Sequence, residues 1–426
     1  MPLQAPGSTV NDVPDDGLRN RRLVLFLLIV VYTLNFLDRQ ILSILKEPIA
    51  AELKLSDSEL GLLGGFAFAL FYSVLAIPAA WLADRFSRVW IMTGALTLWS
   101  AFTAICGVAS NYTTLFIARM GVGVGEAGGV APAYSLIADY FPPRAQARAL
   151  AVYSLGIPVG SALGVLFGGL VAKAVDWRFA FIAIGTIGVV LAPLFRWLVK
   201  DPPRVRETTR AQLRLGAVAH LAASKPTFWL LAFGAGSSSL VGYALLYWLP
   251  TFLARSLHMD IVERAEFMAA GLLSAGVVGL GAGGLLADRL GQMSKRAYAL
   301  IPAAAFLASA PLYALAITAT SPLQTFLLLL VPQALSLMWF GPVLAAVQHL
   351  SPVASRSTMS ALFLLINNLV GLGAGPYLFG RISDYLKPLY GDDSIKYTFV
   401  YGLGFYVLAA ALMFLASFRI RRDWVD

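Results

Sequence analysis

Twelve stretches of the chain are apolar over a length that suits a membrane-spanning helix. Only 13% of the 426 residues are charged and 58% are hydrophobic, whereas about a quarter of the residues in a soluble protein are charged. A spanning backbone must satisfy its own hydrogen bonds, and the alternation typical of barrel strands is absent. We predict an all-α polytopic membrane protein with spans at 22–46, 59–83, 89–109, 113–137, 149–173, 177–199, 226–253, 265–287, 296–318, 321–348, 357–383 and 396–419.

Basic residues are unevenly divided between the two sides that these spans define. With the N-terminus in the cytoplasm, well over half of the 32 Lys and Arg residues fall on the cytoplasmic side, and fewer, among them Lys46 and Arg255, fall in outer loops. This bias predicts that both termini are cytoplasmic. The predicted organisation is a disordered cytoplasmic tail (1–20), an N-terminal six-helix half (21–200), a cytoplasmic linker (201–225), a C-terminal six-helix half (226–420) and a cytoplasmic tail (421–426).

Three arginines of the linker, Arg206, Arg210 and Arg214, recur at helical spacing. That spacing suits either contact with anionic lipid headgroups or an ordinary solvated linker. The net charge of +9 is explained by basic residues on the cytoplasmic face of a membrane protein. Membrane lipids are therefore expected partners and nucleic acid is not.

Four charged residues lie inside predicted spans, Asp38 and Arg39 on the first and Arg119 and Glu126 on the fourth. A charge at membrane depth costs several kcal/mol unless it is paired or faces water. At a rise of ~1.5 Å per residue, Asp38 and Arg119 lie at similar depth, and Glu126 lies nearer the midplane on the same face as Arg119. The fourth span also carries glycines that let another backbone approach closely, namely Gly121, Gly123 and Gly125.

Two acids and two bases on two spans predict either a cavity for a charged solute and protons or a static salt bridge. Desolvation favours the protonated form of a carboxylate, whereas a nearby arginine, which itself stays charged, favours the ionised form. The three histidines lie in the linker or at the ends of spans. We therefore predict that Asp38 and Glu126 couple transport to protons, and that Arg39, Arg119 and Glu126 bind substrate.

The second half carries aromatic and amide residues where the first half carries charges. The candidate binding residues are Tyr243, Tyr247, Trp339, Phe363 and Asn367, although aromatic residues also serve as plain packing. A phosphate or zwitterionic headgroup would pair with Arg39 or Arg119, while an acyl tail would lie along the second half. This contrast predicts an amphipathic, lipid-like substrate.

Two loops repeat at equivalent places in the chain. "AWLADRFSR" at 80–88 follows the second span of the first half, and "GLLADRLGQ" at 284–292 follows the second span of the second half. Two six-helix halves with matching signals are typical of a duplicated transporter. Ion pairs at such loops would hold a gate shut on one side only. The predicted cytoplasmic gate residues are Asp84, Arg85, Arg88, Asp139, Asp288 and Arg289.

The repeated loops resemble the signature of the major facilitator superfamily, a Gly, three residues, Asp-Arg or Asp-Lys, one residue, Gly and a base. The first copy has Ala80 and Ser87 at the glycine positions, and the second has Gln292 for the final base. Within that superfamily, "NFLDRQILSILKEPI" and "RMGVGVGEAGGVAPAYSLIADYFPPRAQARALAVY" resemble the Spinster-like branch.

That resemblance implies twelve helices in two pseudo-symmetric halves and, because the chain looks like a bacterial member, a place in the inner membrane. Eukaryotic members of the branch export sphingosine 1-phosphate or lysophospholipids, and the matching acid and arginine positions are implicated in transport. The fifth span is also similar to the antiporter-type motif, with Gly156, Pro158 and Gly160 at helix-packing positions.

The sequence carries no constellation typical of an enzyme or an ATP-driven pump. It has no metal-ligand spacing, no nucleophile with a base, and no glycine-rich phosphate loop ending in Lys-Ser or Lys-Thr. We expect no enzyme activity, no metal and no cofactor, and predict a monomeric secondary active transporter that works by alternating access. The alternatives are a proton-coupled carrier of drugs, organic anions or other small solutes, and a membrane-embedded lipid enzyme.

Overall fold

The computed structural model describes residues 20–202, 220–352 and 355–425, and these contain no strand. The predicted N-terminal tail, apart from Asn20, and most of the linker lie outside the described residues. The N-terminal half contains α1 (Arg21–Leu53), α2 (Asp57–Gly64), α3 (Phe66–Arg85), α4 (Arg88–Gly107), α5 (Tyr112–Glu126), α6 (Val130–Tyr140), α7 (Pro143–Ser154), α8 (Gly156–Ala174) and α9 (Trp177–Leu198). The C-terminal half contains α10 (Pro226–Arg255), α11 (Ile261–Met293), α12 (Ala297–Thr318), α13 (Pro322–Leu337), α14 (Phe340–His349), α15 (Arg356–Asn368), a π-helical turn (Leu369–Ala374), α16 (Gly375–Tyr390), α17 (Ser394–Gly402) and α18 (Gly404–Asp423).

These helices make six spans in each half, which confirms the predicted all-α architecture. The spans of the first half are α1, α2–α3, α4, α5–α6, α7–α8 and α9, and those of the second are α10, α11, α12, α13–α14, α15–α16 and α17–α18. Within the described residues, nine stretches are long and apolar enough to cross a membrane, and one of them, Thr358–Asp423, includes two spans. The chain is an integral membrane protein.

Several helices extend past the predicted spans. The first ends at Leu53 rather than near residue 46, and α11 runs from Ile261 to Met293 rather than over 265–287. Lys46, which the sequence assigns to an outer loop, lies inside α1 with 0% exposure. The physical reason is that contacts between the two halves shield polar residues that hydropathy alone assigns to solvent.

An even number of spans returns the chain to the side on which it began. We call the end with the start of α1 and the end of α18 the terminal end, and the opposite one the far end. Capping boxes begin two helices at the far end, Ser56 with Glu59 for α2 and Asp260 with Glu263 for α11. Hydrogen bonds from the Glu263 amide and the Lys173 ammonium lower the pKa of Asp260 to about 2, because they stabilise its charged form.

Glycines of α5 let two neighbouring backbones approach it closely. A Cβ atom at Gly123 would lie 2.6 Å from the carbonyl oxygen of Phe68 on α3, and one at Gly125 would lie 2.5 Å from the backbone nitrogen of Trp99 on α4. The close approach expected from the sequence is therefore confirmed, and α5 is held against both helices.

Four glycines of α8 recur at every fourth position and face α1, namely Gly156, Gly160, Gly164 and Gly168. A Cβ atom at Gly164 would lie 2.5 Å from the carbonyl oxygen of Leu37, the residue before Asp38. Pro158 lies in the first turn of α8, where a proline costs the helix no hydrogen bond. This glycine ridge positions the charged segment of α1.

Candidate functional site

Arg39 of α1 and Glu126 at the end of α5 form an ion pair inside the first half. Arg39 Nε donates to Glu126 Oε2 over 2.7 Å. The Glu126 side chain is 0% exposed and that of Arg39 is 16% exposed. A carboxylate shielded from solvent requires a charged partner, and Arg39 provides it. The arginine is the more accessible member of the pair.

Asp38, beside Arg39 in the chain, makes a second and more deeply buried pair. Its Oδ1 lies 3.8 Å from Nη1 of Arg119, and its Oδ2 accepts a hydrogen bond of 2.5 Å from Oγ1 of Thr103 on α4. The side chains of Asp38 and Arg119 are 1% and 2% exposed. Asp38 and Arg119, which the sequence places at similar depth, therefore lie next to each other. Thr103 was missed, and a hydroxyl in an apolar span was its signal.

Three aromatic rings surround the Arg39 guanidinium. Its central carbon lies 4.9 Å from the ring centre of Phe36, 4.8 Å from that of Phe68 and 4.4 Å from that of Tyr72. The Arg119 guanidinium also approaches Phe68, at 5.6 Å. Such contacts favour a cation over a ring face. The sequence did not single out these rings, although Phe68 and Tyr72 are four residues apart and so share one face of α3.

The ionic cluster, defined here as Asp38, Arg39, Arg119 and Glu126, has hydrogen-bonding capacity left over. Among the described residues, Asp38 Oδ1, Glu126 Oε1, and Nε and Nη1 of Arg119 have no hydrogen-bond partner. An unmatched buried polar group costs roughly 1–3 kcal/mol. The cluster can therefore accept further partners, such as a proton on a carboxylate or the polar atoms of a solute.

An ion pair at the far end joins the two halves. Arg255, the last residue of α10, donates from Nη1 and Nη2 to the two carboxylate oxygens of Asp57 on α2, each over 2.8 Å. Ser383 of α16 donates to the same carboxylate over 2.7 Å. The Asp57 side chain is 2% exposed. Three helices from both halves therefore meet on one shielded carboxylate.

Further contacts close the far end. Asp384 of α16 accepts hydrogen bonds from the backbone amides of Asp57 and Ser58, at 3.1 and 2.8 Å, and so caps the first turn of α2 from the other half. Tyr247 donates to the carbonyl oxygen of Leu60 over 2.6 Å. Lys46 donates to the carbonyl oxygen of Tyr247 and lies over its ring. Each of these hydrogen bonds joins the two halves at the far end.

Known proteins share this fold and are similar to this sequence. Residues 28–376 match the Major Facilitator Superfamily. The chain belongs to this superfamily. It is 33% identical over 434 aligned residues to an MFS-type efflux pump of Mycolicibacterium smegmatis, an alignment that covers 100% of this chain and 99% of that one. It is 30% identical to Protein spinster homolog 1 of Mus musculus, over 91% of this chain and 79% of the relative.

A solved structure gives the same assignment. The crystal structure of a bacterial homolog to the human lysosomal transporter Spinster, in an inward-facing and unoccupied conformation, superposes with a TM-score of 0.87 and 28% identity, over 96% of this chain and 99% of that one. The protein is therefore a Spinster-type transporter of the superfamily, and members of this family are typically transporters rather than enzymes.

The predicted residues of the second half lie in three different places in this Spinster-type transporter. Tyr247 belongs to the far-end contacts. Tyr243 is partly buried and close enough to Arg39 to interact with it electrostatically. Trp339 and Phe363 are buried, with ring centres 6.1 Å apart, and Asn367 accepts a hydrogen bond of 2.9 Å from Ser239 on α10. Of the five, Tyr243 and Tyr247 interact electrostatically with the ionic cluster, Tyr243 with Arg39 and Tyr247 with Arg119.

Two of the predicted gate residues of the Spinster-type transporter bind one another at the terminal end. Arg88, at the start of α4, donates to the carboxylate of Asp139 on α6. It also donates to Oγ of Ser135 over 2.8 Å and to Asp201 over 3.3 Å. Arg88, Ser135 and Asp139 lie within the first half and Asp201 begins the linker, so the contacts fasten α4 to α6 and to the segment after α9.

The remaining gate candidates lie on the surface or outside the description. Asp84 is exposed at the end of α3. Arg85 is also exposed, and its guanidinium lies 3.8 Å from the ring centre of Trp81 one turn earlier. Arg289 is exposed on α11, and the side chain of Asp288 lies outside the described part of the chain.

Proposed function

We propose that the protein is a proton-coupled carrier of an amphipathic, lipid-like solute, in which Glu126 carries the proton and Arg39 holds the anionic part of the solute. The observation that supports this most directly is the Arg39–Glu126 pair, with its shielded acid and its more accessible base. One oxygen of Glu126 also has no hydrogen-bond partner among the described residues. A proton would therefore bind to Glu126, and the anionic part of the solute would bind to its partner, Arg39.

The coupling follows from charge balance inside a poorly solvated site. When an anionic group of the solute takes Arg39 from Glu126, the carboxylate is left without its counter-charge, and a proton neutralises it. Conversely, a proton on Glu126 frees the guanidinium for the solute. Proton and anion therefore favour one another's binding. By linkage, each raises the affinity for the other by the same factor.

The surroundings of Arg39 support a solute with both a charge and an apolar part. Phe36, Phe68 and Tyr72 lie within 5 Å of the guanidinium. A phosphate would make charge-assisted hydrogen bonds to Arg39, while hydrocarbon next to it would contact the rings. A lysophospholipid or a sphingosine 1-phosphate-type lipid has this combination. The relationship to spinster proteins supports the same class.

Alternating access would use the far-end contacts as one of two gates. With Asp57, Arg255 and Asp384 joining the halves, this conformation corresponds to one closed at the far end. The similarity to an inward-facing Spinster homologue supports this assignment. Opening the far end requires these contacts to break while others form at the terminal end, where Asp84, Arg85 and Arg289 are the candidates.

The distribution of basic residues also bears on the position of the protein in the cell. We infer a bacterial inner-membrane location with the terminal end in the cytoplasm, because basic residues dominate that end. A monomer would suffice, since each half supplies a wall of the transport path. Cys106 is the single cysteine and is buried. Cysteines introduced at exposed Asp392 or Arg422 would therefore report sidedness by labelling of intact cells with an impermeant maleimide.

A second candidate is proton-coupled transport of drugs. It is favoured by the full-length relationship to an MFS-type efflux pump. The same arginine and rings would hold an amphipathic organic anion. The two candidates share the proton step and differ in the solute, so they are separated by substrate and not by the pH response.

The decisive experiment is uptake into proteoliposomes of a fluorescent lysophospholipid and of a dye, with and without an imposed pH gradient. We expect the gradient to drive lysophospholipid transport by the native protein. Glu126→Gln should lose stability but still fold, because Arg39 is partly exposed and keeps its contacts with aromatic rings. Its transport rate should no longer respond to the gradient. Glu266→Gln, at an exposed acid of α11, is the matched control.

A gradient response retained by Glu126→Gln would overturn the proton role of this residue. Transport of the dye but not of the lysophospholipid would favour a drug carrier. The pair between Lys173 and Asp260 is not a source of pH dependence near neutrality, because Asp260 stays ionised down to about pH 2.

A further inference from the structure

A cavity of about 570 Å³ lies on the outer surface of the second half, between α10 and α18 near the terminal end. Its walls include Trp229 and Phe233 of α10 and Leu415, Phe418 and Arg419 of α18. The cavity is distinct from the ionic cluster, which belongs to the first half. Its walls are almost wholly apolar, and the charged member, Arg419, lies near the end of the last helix.

The rings of the cavity form one continuous apolar surface that faces away from the bundle. Those of Trp229 and Phe233 are stacked, with centres 5.9 Å apart and planes at 24°. Both side chains are exposed, and so are those of Leu415 and Phe418. In a membrane protein such a surface lies against acyl chains, and tryptophan marks the depth of the headgroups.

The charges around the cavity are positive and available. Arg419 is exposed and makes no ion pair with any described residue. The Arg296 guanidinium lies 5.8 Å from the ring centre of Phe418, and Arg422 is exposed one turn beyond Arg419. The neighbouring acid, Asp423, is already engaged.

Asp423 caps α10 rather than neutralising Arg419. Its carboxylate accepts hydrogen bonds from the amide and the hydroxyl of Thr227, at 3.1 and 2.5 Å. Its backbone carbonyl accepts one from Lys225 over 2.6 Å. The cavity therefore has an apolar floor and, at its mouth, an exposed arginine that makes no ion pair with a described residue.

We propose that this cavity binds one anionic phospholipid of the surrounding bilayer, with an acyl chain along Trp229, Phe233 and Leu415 and the phosphate on Arg419. The apolar walls explain why the occupant has a hydrocarbon chain. Arg419, an exposed base without a described ion-pair partner, would attract an anionic headgroup more strongly than a neutral one. The proposal does not depend on what the protein transports, because the cavity lies outside the path between the halves.

The experiment counts lipids bound to the full-length protein by native mass spectrometry. Delipidated protein is titrated with phosphatidylglycerol or with phosphatidylcholine of the same acyl chains. We expect the first phosphatidylglycerol to bind more tightly than phosphatidylcholine by about five-fold, the effect of roughly one basic residue near an anionic headgroup. Arg419→Gln should remove this preference.

Two further variants separate the charge from the cavity. Arg148→Gln removes an exposed arginine of the first half and should leave the preference intact. Leu415→Trp fills the cavity without altering charge and should lower the occupancy of both lipids. An unchanged preference in Arg419→Gln, or equal loss in Arg148→Gln, would overturn the proposal. So would tighter binding of a lysophospholipid than of either diacyl lipid, because the site would then hold the transported class.

Discussion

Arg255 of the second half forms a bidentate ion pair with Asp57 of the first, and its two terminal nitrogens each lie 2.8 Å from a different carboxylate oxygen. Removing one partner of a shielded pair costs about 3–5 kcal/mol when the other charge is left unmatched. Arg255 has a second partner, Glu47 at 3.3 Å, so the cost of removing Asp57 should fall below that range. We predict that Asp57→Asn shifts the population toward a state open at the far end. Spin labels on exposed Lys54 and Asp392 should then report a longer distance, because buried Cys106 does not compete for labelling.

Lys173→Gln is the control for that measurement. Its pair with Asp260 also crosses the halves, but it is 57% and 50% exposed. Exposed pairs contribute little to stability, so the distance distribution should stay as in the native protein. Equal opening by the two variants would mean that shielding of the Asp57 carboxylate is irrelevant to closure.

For the deeply buried pair of Asp38 and Arg119, we predict that a second substitution restores the stability lost by the first. Asp38→Asn leaves the Arg119 charge without its partner and should lower stability by about 3–5 kcal/mol. Adding Arg119→Gln removes the stranded charge, and thermal stability in detergent should largely recover. Transport should remain impaired in the double variant if the pair has a role beyond folding. Full recovery of pH-driven transport would instead make the pair purely structural.

The rings around Arg39 predict that charge alone is insufficient at this position. Arg39→Lys keeps the positive charge but loses the planar group that lies against Phe68 and Tyr72. We expect normal folding and a weaker affinity for a lysophospholipid, measured as a right-shifted concentration dependence of transport. Arg196→Lys, at an arginine 4.7 Å from the ring centre of exposed Trp90, should leave that dependence unchanged.

The glycine ridge predicts sharply different effects of one methyl group at two helical positions. Gly164→Ala places a Cβ atom against the Leu37 carbonyl and should destabilise the protein by roughly 1–3 kcal/mol. At Gly94 of α4 a Cβ atom would have no neighbour within 4 Å, so Gly94→Ala should be neutral or stabilising by up to about 1 kcal/mol. Melting temperatures in detergent test both, and similar values would argue against close packing of α8 on α1.

All four members of the ionic cluster could be named from the sequence, because charges inside a span are rare and depth can be counted along a helix. Sequence reasoning placed Asp38 beside Arg119 but did not pair Arg39 with Glu126, since that depends on how two helices are rotated. It also missed Phe68 and Tyr72, because an aromatic residue at helical spacing looks the same whether it packs in a core or lines a site.

The far-end contacts were beyond reach for a different reason. Asp57 and Asp384 are 327 positions apart, and acidic residues beside loops are ordinarily solvated. Only the packing of α2 against α16 brings the Asp384 carboxylate to the backbone amide of Asp57. Lys46 illustrates the same limit, because the ring of Tyr247 that covers it comes from the other half.

The helix α8 packs closely against two neighbours, α1 on one face and α11 on another. Gly164 lies against the Leu37 carbonyl on the first face, and on the second a Cβ atom at Gly169 would lie 2.7 Å from that of Ala265 on α11. Gly169 therefore lets the two halves pack closely where α8 meets α11. A bulky thiol reagent attached to Gly169→Cys would hold these helices apart, one turn from the exposed pair of Lys173 and Asp260, and should arrest the cycle.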